Sequence, residues 1–203
     1  LPTLLHIDSS LGTKESSVSK QLSAAFQEEW LAQNPDGTVI YRDLAADPIP
    51  HLTAADHAAG DKAPLRAKLA EEMEQADLIL IGTPMHNFTI PSTLKAWIDQ
   101  ACITGRTGSA EGTVAGTPTV VINARGGGYS PGTPNEDKEF ATSYLNKVLS
   151  GMFGIEAEFI VSELTLADFV PQMEHLRDLA ADNHTKAQQQ VVERARALAS
   201  ANA

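Results

Sequence analysis

Asp77-Leu78-Ile79-Leu80-Ile81-Gly82-Thr83-Pro84-Met85-His86-Asn87-Phe88-Thr89-Ile90-Pro91 decides the fold. Its first six residues hold the unbroken apolar run Leu78 to Ile81, too short for a buried helix and closed by glycine, and read as a parallel strand buried on both faces. Pro91 then suits the first turn of a helix from Ser92 to Ile103. In an open α/β sheet the loops beyond the carboxyl ends of the strands form the ligand crevice. A Pro-bounded loop holding an aromatic, an amide and a thioether at that edge suits a flat heteroaromatic ligand.

The same alternation extends in both directions. Leu4-Leu5-His6-Ile7 is a strand opening into the polar loop Asp8 to Ser16, followed by an amphipathic helix with Val18, Leu22, Ala25, Phe26 and Trp30 on its apolar face. Asn34-Pro35-Asp36-Gly37 ends that helix, and Thr38 to Leu44 forms the second strand. Ala45 to Pro64, with little periodicity, reads as a long excursion that walls a site or meets another subunit. A helix follows from Leu65 to Gln75. After the third strand and its helix come the small-residue loop Gly105 to Gly116 and the strand Thr117 to Asn123. The turn Arg125-Gly126-Gly127-Gly128-Tyr129 leads through a polar loop to a helix from Lys138 to Gly151. Glu158 to Val161 is the fifth strand. Met173 to Ala199 is the closing helix, with Leu176, Ala180, Ala187, Val191, Ala195 and Leu198 near one face. Strand and helix alternate five times, which implies a single α/β domain over residues 1–203: a doubly wound parallel sheet covered on both faces. The five-strand order 2-1-3-4-5 fits, with its switch point between the first and third strands.

Bulk properties narrow the function. Against 15 Lys and Arg stand 26 Asp and Glu, a net charge of −11, which disfavours nucleic acid and anionic membrane as partners. No apolar run approaches the roughly 20 residues of a membrane span and no signal segment is visible, so the cytoplasm is the expected location. The lone Cys102 shares a helical face with Leu94, Ile98 and Ala101, and reads as a small buried hydrophobe. No metal-ligand cluster is expected.

In the 2-1-3-4-5 order the carboxyl ends of strands one, three and four are neighbours, and three unusual loops lie there. Asp8 to Ser19 brings hydroxyls and free N–H groups to a helix N-terminus, an anion site suited to one terminal phosphate; it lacks the dinucleotide and Walker glycine patterns. Equally, Ser16 or Ser17 could simply cap the helix. Met85 to Phe88 could grip the edge of a flavin, or Phe88 and Ile90 could plug the core while Asn87 serves a turn. The glycine run after Ala124 would let backbone approach a planar ligand, with Arg125 near its reduced form and Tyr129 stacking, or it could be a flexible turn. The three loops meeting at one edge favour the ligand.

Ser10 with Ser17-Val18-Ser19-x-x-Leu22, Pro84 to Pro91 with Leu94-Lys95-x-x-Ile98-Asp99, and Ala124-Arg125-Gly126-Gly127-x-Tyr129 resemble the FMN-dependent, NADH-using azoreductases and quinone reductases of flavodoxin-like, three-layer α/β/α fold. The resemblance spans nearly the whole chain. It implies bound FMN, with Ser10, Ser17, Val18 and Ser19 on the phosphate. Met85, His86, Asn87 and Phe88 would line the isoalloxazine, and Ala124, Arg125, Gly126, Gly127 and Tyr129 its pyrimidine side. It further implies NADH as co-substrate, a quinone or azo acceptor, a homodimer with the site at the interface, and no dedicated catalytic acid, since the flavin carries the chemistry.

The chain departs from that pattern at four places. His86 stands where tyrosine is usual, and Ala124 where serine is common. The serine loop is one residue longer, so the first serine of the motif falls on Ser9 or Ser10. The loop after Ile103 lacks the aromatics that would narrow a substrate pocket. A flavodoxin-like electron carrier without its own substrate pocket is the alternative; a phosphoacceptor signalling module would need an aspartate where Thr83-Pro84 stands.

Overall fold

Five strands pair side by side in the order β2-β1-β3-β4-β5, every pair parallel. They are β1 (Thr3–Asp8), β2 (Thr38–Asp43), β3 (Leu78–Pro84), β4 (Thr119–Ala124) and β5 (Ala157–Ser162) in a computed structural model that describes residues 1–201. The helices are α1 (Val18–Gln33), α2 (Ala54–Ala59), α3 (Pro64–Gln75), α4 (Ser92–Ala101), α5 (Ala141–Phe153) and α6 (Arg177–Ala201). The expected sheet order and the expected crossover helices are present; α2 and three short 3-10 turns are additions.

Two apolar layers hold the helices on the sheet. On one face, Leu22, Phe26 and Trp30 of α1 meet Ala187, Val191 and Ala195 of α6 over Leu4, Leu80 and Ile122. Alanines at helical spacing on α6 let the two helices approach closely while both still cover the strands. On the other face, Leu69 and Met73 of α3, Trp97 of α4 and Leu145 and Phe153 of α5 pack on Leu5, Ile81 and Val121. Alternate residues of each strand feed opposite layers, as the pleat requires.

Several boundaries moved for local reasons. Strand β3 continues past its apolar run because Thr83 and Pro84 pair with Asn123 and Ala124, and because Asn123 Nδ2 donates to Thr83 O at 3.2 Å. Helix α4 stops at Ala101, not Ile103: Thr107 Oγ1 accepts the Ile103 N–H at 3.0 Å and donates to Ala101 O at 2.5 Å. Helix α5 starts at Ala141 because Glu136–Lys138 forms a 3-10 turn, and α6 begins at Arg177 after a 3-10 stretch at Pro171–Leu176. On α6 it is Ala199, rather than Leu198, that is fully inside. Cys102 is half-buried at the end of α4, where burial raises its thiol pKa.

The excursion after β2 is ordered by one buried cation. Arg66, 3% exposed, donates to the carbonyls of Asp56, Gln100 and Cys102 at 3.1, 3.1 and 2.6 Å. It ties α2 to the end of α4. The loop from Gly105 to Gly116 lies at the amino edge of the sheet, pinned by Gly116 N to Gly154 O at 2.9 Å and by the Arg106–Glu74 ion pair at 2.7 Å. Within its own chain this loop sits across the sheet from the ligand edge. No helix among the described residues is long and apolar enough to cross a membrane.

Candidate functional site

A cavity of ≈800 Å³ opens at the carboxyl edge of the sheet, beside the N-terminus of α1. Ser10, Ser17, Val18 and Ser19 form its first wall, Pro84, Met85 and His86 its second, and Ala124 with Gly126 its third. Eight of the residues expected at the site are therefore brought together. The volume falls in the range of small-molecule and cofactor sites.

The serine wall follows from how α1 begins. Ser17 sits in extended backbone as the N-cap, and its Oγ accepts the Lys20 N–H at 3.3 Å and lies 3.2 Å from Ser19 Oγ. The first N–H groups of a helix have no intrahelical acceptor, so those of Val18 and Ser19 are left for whatever fills the cavity. No acidic residue occupies the first turn to compete. Ser17 thus both caps the helix and walls the cavity, and the two readings of its sequence coexist. Between Ser9 and Ser10 the structure also chooses. Ser9 is fully buried, donating its Oγ to Thr83 Oγ1 at 2.8 Å and its N–H to Gly82 O at 2.9 Å, whereas Ser10 lines the cavity.

The β3 loop folds into a two-residue hairpin turn. His86 N–H donates to Thr89 O at 2.8 Å, Thr89 N–H returns to His86 O at 3.0 Å, and Asn87 and Phe88 have φ of 49° and 69°. Two positive φ values in succession are the mark of a type I′ turn. Asparagine tolerates that region; a bulky aromatic there is a true outlier, of a kind that persists where surrounding contacts enforce it. Phe88 O accepts the Phe140 N–H at 2.9 Å, and the Phe88 ring meets Tyr129 edge-on with centroids 6.3 Å apart. Asn87 and Phe88 do not line the large cavity. His86 and Asn87 border a neighbouring one of ≈390 Å³, shared with Lys95 and Tyr144.

The glycine turn differs from expectation. Arg125 is 5% exposed and its guanidinium is fully engaged: Nε donates to Asn123 Oδ1 at 2.8 Å, Nη1 to Glu163 Oε1 at 3.0 Å, and Nη2 to Thr142 Oγ1 at 3.1 Å, with Glu139 at 3.4 Å. Its charge is turned inward, and the expectation that it faces a reduced flavin is corrected. Burial raises the Glu139 pKa, but its hydrogen bonds to Thr142 and the charge of Arg125 outweigh that, so its carboxyl sits below the usual value. Gly126 leaves room for Leu166, whose Cδ1 would lie 2.7 Å from an added Cβ. None of Gly126, Gly127 and Gly128 has a positive φ. The run exists so that the β5–α6 loop can dock on it, through Thr165 N–H to Arg125 O, Leu166 N–H to Gly126 O and Leu164 N–H to Gly127 O at 3.0, 3.2 and 3.2 Å. Tyr129 is held by Glu163, which takes its N–H at 2.9 Å. Arg125, Gly127 and Tyr129 do not line this cavity.

The β5–α6 loop is the wall that sequence reasoning missed. Ser162, Glu163, Leu164 and Leu166 line the cavity, with Phe169 at 78% exposure on its rim and Ala181 and His184 of α6 opposite. The signal was available: Ser162 ends a parallel strand, and the carboxyl-edge rule applied to β1, β3 and β4 holds for β5 as well.

These features meet the needs of a flavin mononucleotide: a helix N-terminus with hydroxyls for a phosphate, a mixed floor from Pro84 to Ala124, and polar groups at the far edge. They define a doubly wound protein with a mononucleotide-sized crevice. The chain matches the flavodoxin-like fold family over residues 2–191. It is 48% identical to the FMN-dependent NADH:quinone oxidoreductase of Streptomyces coelicolor over 98% of this chain and 96% of that one, and 45% identical to quinone oxidoreductase 1 of Xanthomonas axonopodis over 75% and 80%. An azoreductase structure from Bacillus anthracis superposes with a TM-score of 0.80 at 25% identity, covering 96% of this chain and 99% of that one. The chain belongs to the FMN-dependent NADH:quinone oxidoreductase family of flavodoxin-like fold.

Proposed function

We propose that this protein binds FMN in the ≈800 Å³ cavity and uses it to pass electrons from NADH to quinones and aromatic azo compounds. The observation that carries the reading is the continuity of one cavity from the Ser17-capped start of α1 to the ends of β3 and β4. Relatives named FMN-dependent NADH:quinone oxidoreductases support it along almost the entire chain. FMN held there would supply the redox chemistry, carrying electrons in pairs between NADH and a quinone, or in two rounds to an azo bond.

The residues divide that work. Ser10, Ser17 and Ser19 hydroxyls with the Val18 and Ser19 N–H groups hold the phosphate dianion, aided by the helix dipole. Pro84 to His86 and Ala124 with Gly126 carry the ring. Phe88, Tyr129 and His86 shape the entry that NADH and the acceptor use in turn, so that each must leave before the other binds. We also propose a homodimer. Phe88, Phe140, Leu166 and Phe169 are large apolar side chains 46%, 54%, 47% and 78% exposed on the loops around the cavity, more than scattered surface apolar residues account for.

The test is spectroscopic and kinetic. Purified protein titrated with FMN should quench its fluorescence, and the loaded protein should oxidise NADH with benzoquinone and no added reductase. Absence of FMN binding sinks the reading; binding without NADH oxidation reduces the protein to an electron carrier. Light scattering on the eluted protein should give twice the 21.7 kDa chain mass.

A further inference from the structure

Ser162 is the last residue of β5, 1% exposed, and its Oγ has no hydrogen-bond partner. A buried hydroxyl without a partner forfeits its hydration with nothing in return, so each such group in a native protein calls for an explanation. The backbone around it is fully accounted for. Ser162 O accepts the Arg125 N–H at 2.8 Å, and the neighbouring Glu163 carboxylate is occupied by Arg125, Tyr129 and Ser130. The side chain alone is left over.

Its direction follows from the pleat. Ile160 lies in the layer beneath α1 and α6, and residues two apart on a strand share a face, so Ser162 points to that same side. The register places Pro84 beside Ala124 and Ala124 beside Ser162, one row across the carboxyl edge of three adjacent strands. All three line the ≈800 Å³ cavity. In that row Pro84 and Ala124 offer no side-chain hydrogen bond. Ser162 is the one member that can both donate and accept.

We propose that Ser162 Oγ is a ligand-binding hydroxyl that hydrogen-bonds the heteroatom edge of the FMN ring, the partner its burial otherwise lacks. The inference rests on the reading that FMN occupies this cavity. The serine wall of α1 lies at the β1 end and Ser162 two strands beyond β3, so a nucleotide with its phosphate on α1 and its ring along the row brings the ring's polar far edge to β5. A hydroxyl at that end reads a carbonyl or an imide N–H equally well, which suits a ring edge that carries both.

Binding and structural roles for this hydroxyl predict opposite signs. Ser162→Ala removes a group that is unsatisfied in the free protein, so the apoprotein's thermal midpoint should hold or rise. Its FMN dissociation constant, read by fluorescence quenching, should rise about 2- to 10-fold, the worth of one hydrogen bond. Ser162→Cys fills the same space with a poor hydrogen-bonding group and should weaken FMN to a similar degree, which separates the lost bond from a lost contact. The flavin absorption band of both variants should shift relative to wild type. Unchanged FMN affinity in Ser162→Ala, or a fall in apoprotein midpoint with affinity intact, would overturn the assignment. Wild type that fails to bind FMN at all would instead overturn the reading of the cavity.

Discussion

The serine loop and the glycine turn reach the cavity from opposite sides, and they use their polar groups in opposite ways. At the start of α1 the hydroxyls of Ser10, Ser17 and Ser19 and two backbone N–H groups remain on the cavity wall. After β4, the one charged group, Arg125, is consumed by Asn123, Glu163, Thr142 and Glu139. One region offers its polarity to a ligand. The other uses it to lock three loops together, because a guanidinium that is 5% exposed must satisfy its donors within the protein. Polar residues at a ligand edge are therefore of two kinds, and only their partners tell which.

The largest effect expected from breaking this contrast is at Arg125. Arg125→Met leaves Glu163 and Glu139 without their shared cation and should cost about 3–5 kcal/mol in urea unfolding, the range for a broken buried ion pair. Arg125→Lys should recover little, since an ammonium cannot reach Asn123, Glu163 and Thr142 together. A loss below about 1 kcal/mol would mean the network is ornamental and would return Arg125 to the ligand. Ser17→Ala should cost about 1 kcal/mol of stability through the lost cap. It should also weaken FMN about tenfold while leaving FMN-free folding cooperative, whereas Arg125→Met disturbs both.

A smaller effect is expected at the strained turn. Phe88→Gly relieves a positive φ that costs on the order of 1 kcal/mol, and it gives up little burial because Phe88 is 46% exposed. The variant should be as stable as wild type or more so, with a raised KM for the quinone. A clear loss of stability would show that the ring is a core plug, not part of the entry. The smallest effect concerns pH. Glu139 has a depressed carboxyl pKa, so it contributes stability above its ordinary value near pH 4.3 that fades as pH falls through the depressed value. Glu139→Gln should lower the thermal midpoint at pH 8 while changing little near pH 3, so that the acid limb of the stability curve flattens, as judged by thermal midpoints across pH 3–8.

The sheet was legible because its signal is local. Runs such as Leu78 to Ile81 and Val120 to Ile122 are apolar on both faces only if helices cover both sides, and each is followed by a stretch with helical period. The serine wall was legible for a similar reason, since hydroxyls before an amphipathic helix have few uses other than capping or anion binding. The loop after Ile103 could not be placed from its composition, because composition does not state which edge of the sheet a loop occupies; strand direction does. The β5–α6 wall went unread because Ser162 and Leu164 carry no pattern of their own. Leu164, with φ of 63° and 5% exposure, is held in place only by the glycine turn it packs against.

By itself the sequence determined the strand order, the two apolar layers and the mononucleotide character of the first loop, all of which rest on periodicity and chain direction. Tertiary structure decided that Ser10 rather than Ser9 lines the cavity and that Gly126 makes room for Leu166. It also decided that the charge of Arg125 faces inward and that Ser162 stands beside Ala124. Each of these depends on which groups from distant parts of the chain compete for one hydrogen bond or one space. That competition is settled only when β1, β3, β4 and β5 lie side by side.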